Sequence, residues 1–299
     1  MSGKITEPGV YTLTLDQYHG DPCDGPSISN SGLQMIAECP AKYWWHSPLN
    51  PKRPEVKSRA LSFGNAAHKW LLQGDDFWSE FAVLPEDHNG RTNEGKARVA
   101  EIAESGKTVL RHDEFEVIQT MRDALLVNEI AAASFTNGAC EQSLVWRDQE
   151  TGVWLRCRPD FLPTARTHIP DYKTARSANP EGFRRDVWTY GYHCQAALYH
   201  EGIRAIFGEE PQSFYFIVQE KEPPYVVTPI ALTEVALRWG RLQNRRAIRL
   251  FADCLERGHW PGYVEDVATI GLPVWAEREL EHQHERGLLD LYHAPLAAE

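Results

Sequence analysis

No stretch of this sequence is apolar and long enough to span a bilayer, and its first ten residues, MSGKITEPGV, lack the basic-then-apolar order of a secretory leader. A cytoplasmic protein with no membrane partner is expected. The six cysteines (Cys23, Cys39, Cys140, Cys157, Cys194, Cys254) are scattered with no Cys-x-x-Cys spacing, which argues against a zinc ribbon and against a disulfide framework. No Gly-x-x-x-x-Gly-Lys-Ser/Thr run occurs, so a helicase or ATPase would have to be a separate protein. Positive charge is short as well. Against 31 Lys and Arg stand 42 Asp and Glu, a net charge of −11, which works against broad contact with a phosphate backbone.

What is present is a globular composition. A hydrophobic content of 42% over 299 residues allows one large α/β domain or two small ones with a sizeable core. The basic residues are not evenly spread: Arg156, Arg158, Lys173, Arg176, Arg184 and Arg185 fall close together in the chain. Local sign decides binding, so a confined basic track remains open to an acidic protein.

That basic region surrounds DFLPTARTHIPDYK, residues 160–173. Glu141–Arg147 alternates and carries Val and Trp, Asp148–Gly152 supplies turn residues, and Val153–Arg158 alternates again, predicting an antiparallel hairpin that ends at Asp160. The next β-prone run, His168–Lys173, places Asp171 and Lys173 two apart, on one strand face. Two carboxylates brought close repel, and a divalent cation removes that repulsion while polarising a phosphate; a lysine beside them orients water. By itself Asp-x-Lys also fits a solvated turn acid followed by an ordinary surface pair. His68, on a segment with helical spacing over Ala60–Leu72, is either structural or a metal ligand. Gln195 and Tyr199, four apart on a helix expected to run to about Phe207, either face water or serve a site.

Taken together, Glu141-Gln142-Ser143, Cys157-Arg158-Pro159-Asp160-Phe161, Asp171-Tyr172-Lys173-Thr174, Gln195-x-x-x-Tyr199, Gly64-Asn65-Ala66-Ala67-His68 and Arg91-Thr92-x-Glu94-Gly95-Lys96-Ala97 resemble the PD-(D/E)xK nuclease superfamily. Within it they are similar to the RecB-type branch, and most of all to the RecE (exodeoxyribonuclease VIII) group of phage and prophage exonucleases, from about Ser27 to Tyr263. The resemblance implies a mixed central sheet flanked by helices with an N-terminal helical portion. It also implies that Asp160, Asp171, the Tyr172 carbonyl and His68 hold Mg²⁺, with Mn²⁺ as a substitute. Lys173 would act on the attacking water, Glu141 would support the site or meet a second metal, and Gln195 and Tyr199 would bond substrate or neighbouring groups. Arg91, Lys96, Arg158, Arg176, Arg184 and Arg185 are the candidate DNA contacts. Relatives of this kind resect one strand of linear duplex DNA from its 5′ end, form rings around it, and pass the exposed strand to a RecT-like annealing protein. Some RecB-type nucleases hold an iron–sulfur cluster through one early and three late cysteines; only Cys254 lies late here, so no cluster is expected.

The remaining chain reads as scaffold. Residues 1–26 form an arm, 27–263 the nuclease domain and 264–299 a C-terminal helix and tail. Ser27–Ser31 either caps a short helix at Gly32–Glu38 or binds phosphate there. Pro48–Pro54 is a connector, and Asp113–Ala132 predicts one continuous helix with Phe115, Ile118, Met121, Leu125 and Val127 inward. Ser213–Gln219 and Tyr225–Ala231 extend the sheet. Thr233 opens a helix to Arg257 on which Arg238, Arg241, Arg245 and Arg249 share a face, either solvated or serving DNA or a second subunit. His282 and His284, in a helix expected over Pro273–Gly287, are solvated or weak metal ligands.

Overall fold

A computed structural model of the chain describes residues 3–53 and 62–289. The chain divides into two compact units, Met1–Trp260 and Pro261–Glu299. The first opens with β1 (Gly9–Tyr11), α1 (Leu15–His19), β2 (Ser27–Ser29), α2 (Asn30–Glu38) and α3 (Pro40–His46). After a gap in the described residues come α4 (Ser62–Gln73), α5 (Phe77–Glu80), β3 (Phe81–Val83), α6 (Asn93–Glu104), β4 (Thr108–Leu110), α7 (His112–Val127) and α8 (Glu129–Ser134). Strands β5 (Gly138–Cys140), β6 (Ser143–Arg147), β7 (Trp154–Cys157), β8 (Phe161–Pro163) and β9 (His168–Ala175) follow. The unit closes with α9 (Pro180–Thr189), α10 (Tyr192–Phe207), β10 (Ser213–Glu220), β11 (Val227–Ala231) and α11 (Glu234–Arg257). Pro54 of the expected connector, and Ala60 and Leu61 of the expected helix start, lie outside the described residues.

Two mixed sheets carry the site. One has the order β1-β6-β7-β2, antiparallel except for the parallel β7/β2 pair; the other has the order β11-β10-β9, with β10/β9 parallel. The β6/β7 hairpin forms as its alternation predicts. Leu144, Trp146, Leu155 and Cys157 face the main core with Ile28, Phe214, Phe216 and residues of α2, α10 and α11. Val145 and Trp154 face the other way, onto Ile5 and Cys23 of the N-terminal residues. Each large side chain sealed this way stabilises the fold by about 2–3 kcal/mol. Residues 9–11 are thus a strand of the hairpin's own sheet.

Helix ends follow local chemistry. Thr233 accepts from the Ala236 amide at the start of α11, and Gly258, at φ 62°, ends it in the left-handed region. Gly240 in α11 lets the helix press on α10, since a Cβ there would meet the His193 carbonyl at 2.2 Å. The expected helix over Asp113–Ala132 is two helices. Asn128 breaks it by accepting from the Ala131 amide as the cap of α8, and this leaves Val127 84% exposed, not inward. Ser29 precedes α2 without a side-chain cap bond; its hydroxyl meets that of Ser31 at 3.1 Å.

All six cysteines are free, and no helix among the described residues is long and apolar enough to cross a membrane. In the second unit, α12 (Val274–Glu285) is amphipathic in sequence but buries none of its residues.

Candidate active site

Strand alternation in β9 puts Asp171 and Lys173 on the face that carries Ile169 and, in register on β10, Phe216 and Val218; Tyr172 faces Leu125 and Ile217 on the other side. Asp171 is fully buried and its Oδ2 forms an ion pair with Lys173 Nζ. The lysine is held over the Tyr192 ring, 5.1 Å from its centroid. Asp160 arrives from a different direction. It does not end β7, as the hairpin pattern suggests, but lies in the bend between β7 and β8, and its carbonyl accepts from the Glu141 amide at 3.1 Å.

Asp160 Oδ2 joins the two sheets, accepting from the Tyr172 amide at 2.9 Å and lying 2.9 Å from His68 Nε2 on α4. A strand residue presents its N–H and C=O to the same edge, so the Tyr172 carbonyl also faces the Asp160 side, away from β10. Gly64, one turn before His68, has Thr174 Oγ1 as its nearest neighbour, 4.0 Å from where a Cβ would lie, which brings α4 close to β9.

Helix α10 fixes the acids. Gln195 Nε2 donates to Asp171 Oδ1 at 3.0 Å and to the Tyr199 hydroxyl at 2.9 Å, and that hydroxyl donates to the Arg158 carbonyl at 3.0 Å. Tyr199 is buried, with its hydroxyl fully engaged. Gln195 and Tyr199 therefore hold Asp171 and the backbone leading to Asp160 in place through hydrogen bonds to protein groups.

The electrostatics carry one tension. Burial, and next the charge of Asp160, push the Asp171 carboxyl up from the usual carboxylate range despite Lys173. Burial also works to raise Asp160, but His68 and Lys173 outweigh it and hold this acid low. Burial opposes charge on His68, and Asp160 more than offsets it, so the imidazole is raised. Burial lowers Lys173 while Asp171 and Asp160 raise it further. Two sequestered carboxylates competing for few cations are a donor set that a divalent ion suits, with His68 and the Tyr172 carbonyl beside them. Among the described residues, no three His, Cys, Asp or Glu side chains already form a closed cage.

The other sequence-derived residues separate into groups. Glu141 sits at φ 49°, an uncommon left-handed backbone for a residue with a Cβ, and pairs with Arg158 Nη2 at 2.6 Å. Arg158 Nη1 donates to the Leu13 carbonyl at 2.6 Å. Arg158, expected to contact DNA, thus engages Glu141 and the N-terminal arm through one bond from each terminal nitrogen. A cavity of about 650 Å³ adjoins the pair. Its walls carry Asp16, Asp76, Glu80 and Glu141 against Lys69 and Arg158, a lining that disfavours a phosphodiester. Arg91 and Lys96 lie exposed around the start of α6, and among the described residues neither side chain bonds to the acids of the site. Arg176, Arg184 and Arg185 are exposed just beyond β9 and on α9.

Three of the four arginines on the α11 face meet acids. Arg245 pairs with Asp148 at 2.6 Å and Glu201 at 3.4 Å, Arg249 with Glu150 at 2.5 Å, and Arg241 with Glu234 at 3.2 Å. His282 and His284 lie on α12, in the second unit.

Sequence reading passed over two participants, the Leu13 carbonyl and Tyr192. A main-chain acceptor leaves no residue-type signal. Tyr192 did leave one, since 192, 195 and 199 follow the three-then-four spacing of one helix face.

No curated protein matches the chain in sequence. Among solved structures it is similar to a candidate exonuclease from Eubacterium rectale, at 16% identity and a TM-score of 0.59 over 89% of this chain and 98% of that one. A phage-related exonuclease from Haemophilus somnus 129PT is a more distant match, with 10% identity and a TM-score of 0.31 over 78% of this chain and 97% of that one. The first of these similarities speaks for the fold. A family model, the PDDEXK-like domain of unknown function DUF3799, matches residues 29–273, a span that takes in His68, Asp160, Asp171, Lys173, Gln195 and Tyr199, and the chain belongs to that family.

Proposed function

We propose that the chain is a divalent-metal-dependent DNA exonuclease that hydrolyses phosphodiester bonds at the Asp160–Asp171–Lys173 cluster. One observation carries this reading. Acids from two separate segments, a histidine from a third and a lysine two residues from one of the acids converge on a single edge of β9, and α10 locks them. A structural ion-pair cluster has no need of two buried carboxylates facing one another.

Asp160, Asp171, His68 and the Tyr172 carbonyl are the groups that would hold the metal, and Mg²⁺, with Mn²⁺ as substitute, suits the oxygen-rich set. Bound there, such an ion would polarise the scissile phosphate and favour hydroxide over water. Lys173, as an ammonium anchored on Asp171 and Tyr192, has N–H groups left to orient the attacking water and to offset charge building on the phosphoryl oxygens. Gln195 keeps the Asp171 carboxylate from rotating, and Tyr199 keeps the Arg158–Asp160 backbone at its height. Glu141 supports the same backbone through Arg158.

The substrate on this reading is linear double-stranded DNA, degraded from the 5′ end to expose single strand for a RecT-like annealing partner, by a ring-shaped homo-oligomer. Support for these finer points comes from the motif resemblance in the sequence. The exposed Arg176, Arg184 and Arg185 beside β9 supply local positive charge despite the net charge of −11.

The test is digestion of linear duplex labelled separately at its 5′ and 3′ ends, with Mg²⁺, with Mn²⁺ and with chelator, beside an Asp171→Asn control and a closed circular substrate. Metal-dependent release of the 5′ label from linear DNA alone is the expected result. Cleavage of the circle would make the enzyme an endonuclease, and DNA binding without any cleavage would make it a binding or assembly protein.

A further inference from the structure

Around Tyr192 and His193 the surface carries two aromatic rings that the chemistry above does not use. Trp188, in the last turn of α9, is 70% exposed, and Tyr190, just after it, is 56% exposed. Neither ring hangs loose. Trp188 stacks on His193, centroids 5.9 Å apart and planes within 15°. The imidazole is itself held, its ring nitrogens 3.2 Å from the Val187 carbonyl and 2.8 Å from Gln243 Oε1. Tyr190 leans on Tyr192 at 5.5 Å, and Tyr192 in turn packs on Phe183 and Phe216.

Each exposed ring is thus backed on one side by another ring and keeps much of its surface open to solvent, where a planar group can stack. The turn between the rings is also built for position. Gln34 Nε2 donates to the Tyr190 carbonyl at 3.1 Å and to the Gly191 carbonyl at 3.3 Å. Gly191 has φ 64°, and a Cβ there would meet the Gln34 amide at 2.5 Å. The positive φ favours glycine there, and a side chain would also displace the Gln34 amide.

Charge identifies the occupant. Arg184 and Arg185 precede Trp188 by four and three residues and share its helix face, and Arg176 lies just past the end of β9. Among the described residues Arg184 pairs with Glu181 at 2.8 Å, whereas Arg176 and Arg185 pair with no acid. Tyr192 connects the patch to the chemistry, because its ring lies under Lys173 Nζ and against Tyr190. Two other exposed tryptophans differ: Arg238 covers the Trp239 ring, and Trp78 packs among Phe77, Trp70 and Phe115.

We infer that Trp188 and Tyr190, flanked by Arg176 and Arg185, form a stacking platform for the unpaired bases of a single DNA strand next to the scissile phosphate. The inference rests on the nuclease reading and gives it a strand-handling surface. Planar bases stack on the two rings whatever their sequence, while the arginines follow the phosphates. A blunt duplex end would then have to fray before its terminal nucleotide reached Lys173.

The experiment is binding of a fluorescein-labelled oligothymidylate about 12 nucleotides long to the full chain in chelator, which prevents cleavage. Trp188→Ala and Tyr190→Ala are each expected to weaken binding at least about fivefold, with Trp188→Phe keeping most of the affinity. Arg185→Ala is expected to flatten the dependence of log affinity on log salt by roughly 0.7. Unchanged affinity in both alanine variants overturns the platform, whether the patch is idle or serves a protein partner. Equal losses in Trp188→Ala and Trp188→Phe overturn it too, since stacking needs only an aromatic ring. Cleavage of linear duplex by the parent protein is measured on the same preparation. Active enzyme with indifferent variants sinks the platform alone, and aromatic-dependent binding without cleavage sinks the nuclease reading alone.

Discussion

Two clusters of charge each involve a residue of α10, Glu201 in one and Gln195 in the other, and they are built on opposite rules. Around Asp148, each acid meets an arginine from α11: Arg245 reaches Asp148, Glu150 and Glu201, and Arg249 closes on Glu150. Thr151 adds two bonds to Asp148, from its amide at 2.8 Å and its hydroxyl at 2.7 Å. At the candidate active site the acids meet each other. Asp160 and Asp171 share one lysine and one histidine, and Asp171 is left with a carboxyl that burial and its neighbour push toward protonation. The first arrangement is what a fold needs to join a turn to a helix. The second leaves negative charge in excess, the arrangement that a divalent cation would offset on the proposed reading.

That contrast can be broken most sharply at Asp171. Asp171→Asn removes the repulsion and keeps the shape, so activity on linear duplex is expected to fall by about 10³-fold or more while the melting temperature holds or rises. A drop in stability together with activity would place Asp171 with the structural cluster. Arg245→Ala should show the reverse, leaving catalysis in place and costing about 3 kcal/mol in urea unfolding, because the nearly sealed Asp148 carboxylate loses its partner.

Smaller effects refine the picture. Tyr199→Phe deletes the hydroxyl linking Gln195 to the Arg158 carbonyl, and about a tenfold loss of kcat with little change in melting is expected from one positioning bond. Asp148 gives a pH test. Burial works to raise its carboxyl, but the bonds from Thr151 and Arg245 outweigh that and hold it below the ordinary value. The unfolded chain therefore takes up this proton first on acidification. The stabilisation is fully present above the ordinary aspartate range and is lost as pH falls through the depressed folded value, so the stability gap between the parent and Asp148→Asn should narrow toward acid pH. Least of all, Arg249→Ala removes a pair that lies in solvent and is expected to leave the melting curve unchanged.

The difference between the clusters also explains what could be read in advance. Asp171 and Lys173 are two apart on a β-prone run, and strand period alone sends them to one face. Gln195 and Tyr199 share a helix face for the same kind of reason. The arginines of α11 looked equally regular, yet periodicity tells which residues share a face and not what that face meets; the acids that neutralise them come from 148–150, 201 and 234. The partners of Arg158, an acid seventeen residues away and the carbonyl of Leu13, lie equally beyond the reach of local pattern.

Local pattern by itself determined the hairpin, the Asp-x-Lys face, the caps of α9 and α11 and the motif set that matches the family, because strand and helix periods act within a few residues. Tertiary structure alone decided that Asp160 leaves the strand end to bond the Tyr172 amide, that His68 meets it, that the sequence-predicted sheet divides into separately bonded parts, and that Trp188 and Tyr190 stand exposed, each backed by another ring. Those outcomes depend on which surfaces packing brings within hydrogen-bond and van der Waals range, and that range is set by the whole chain.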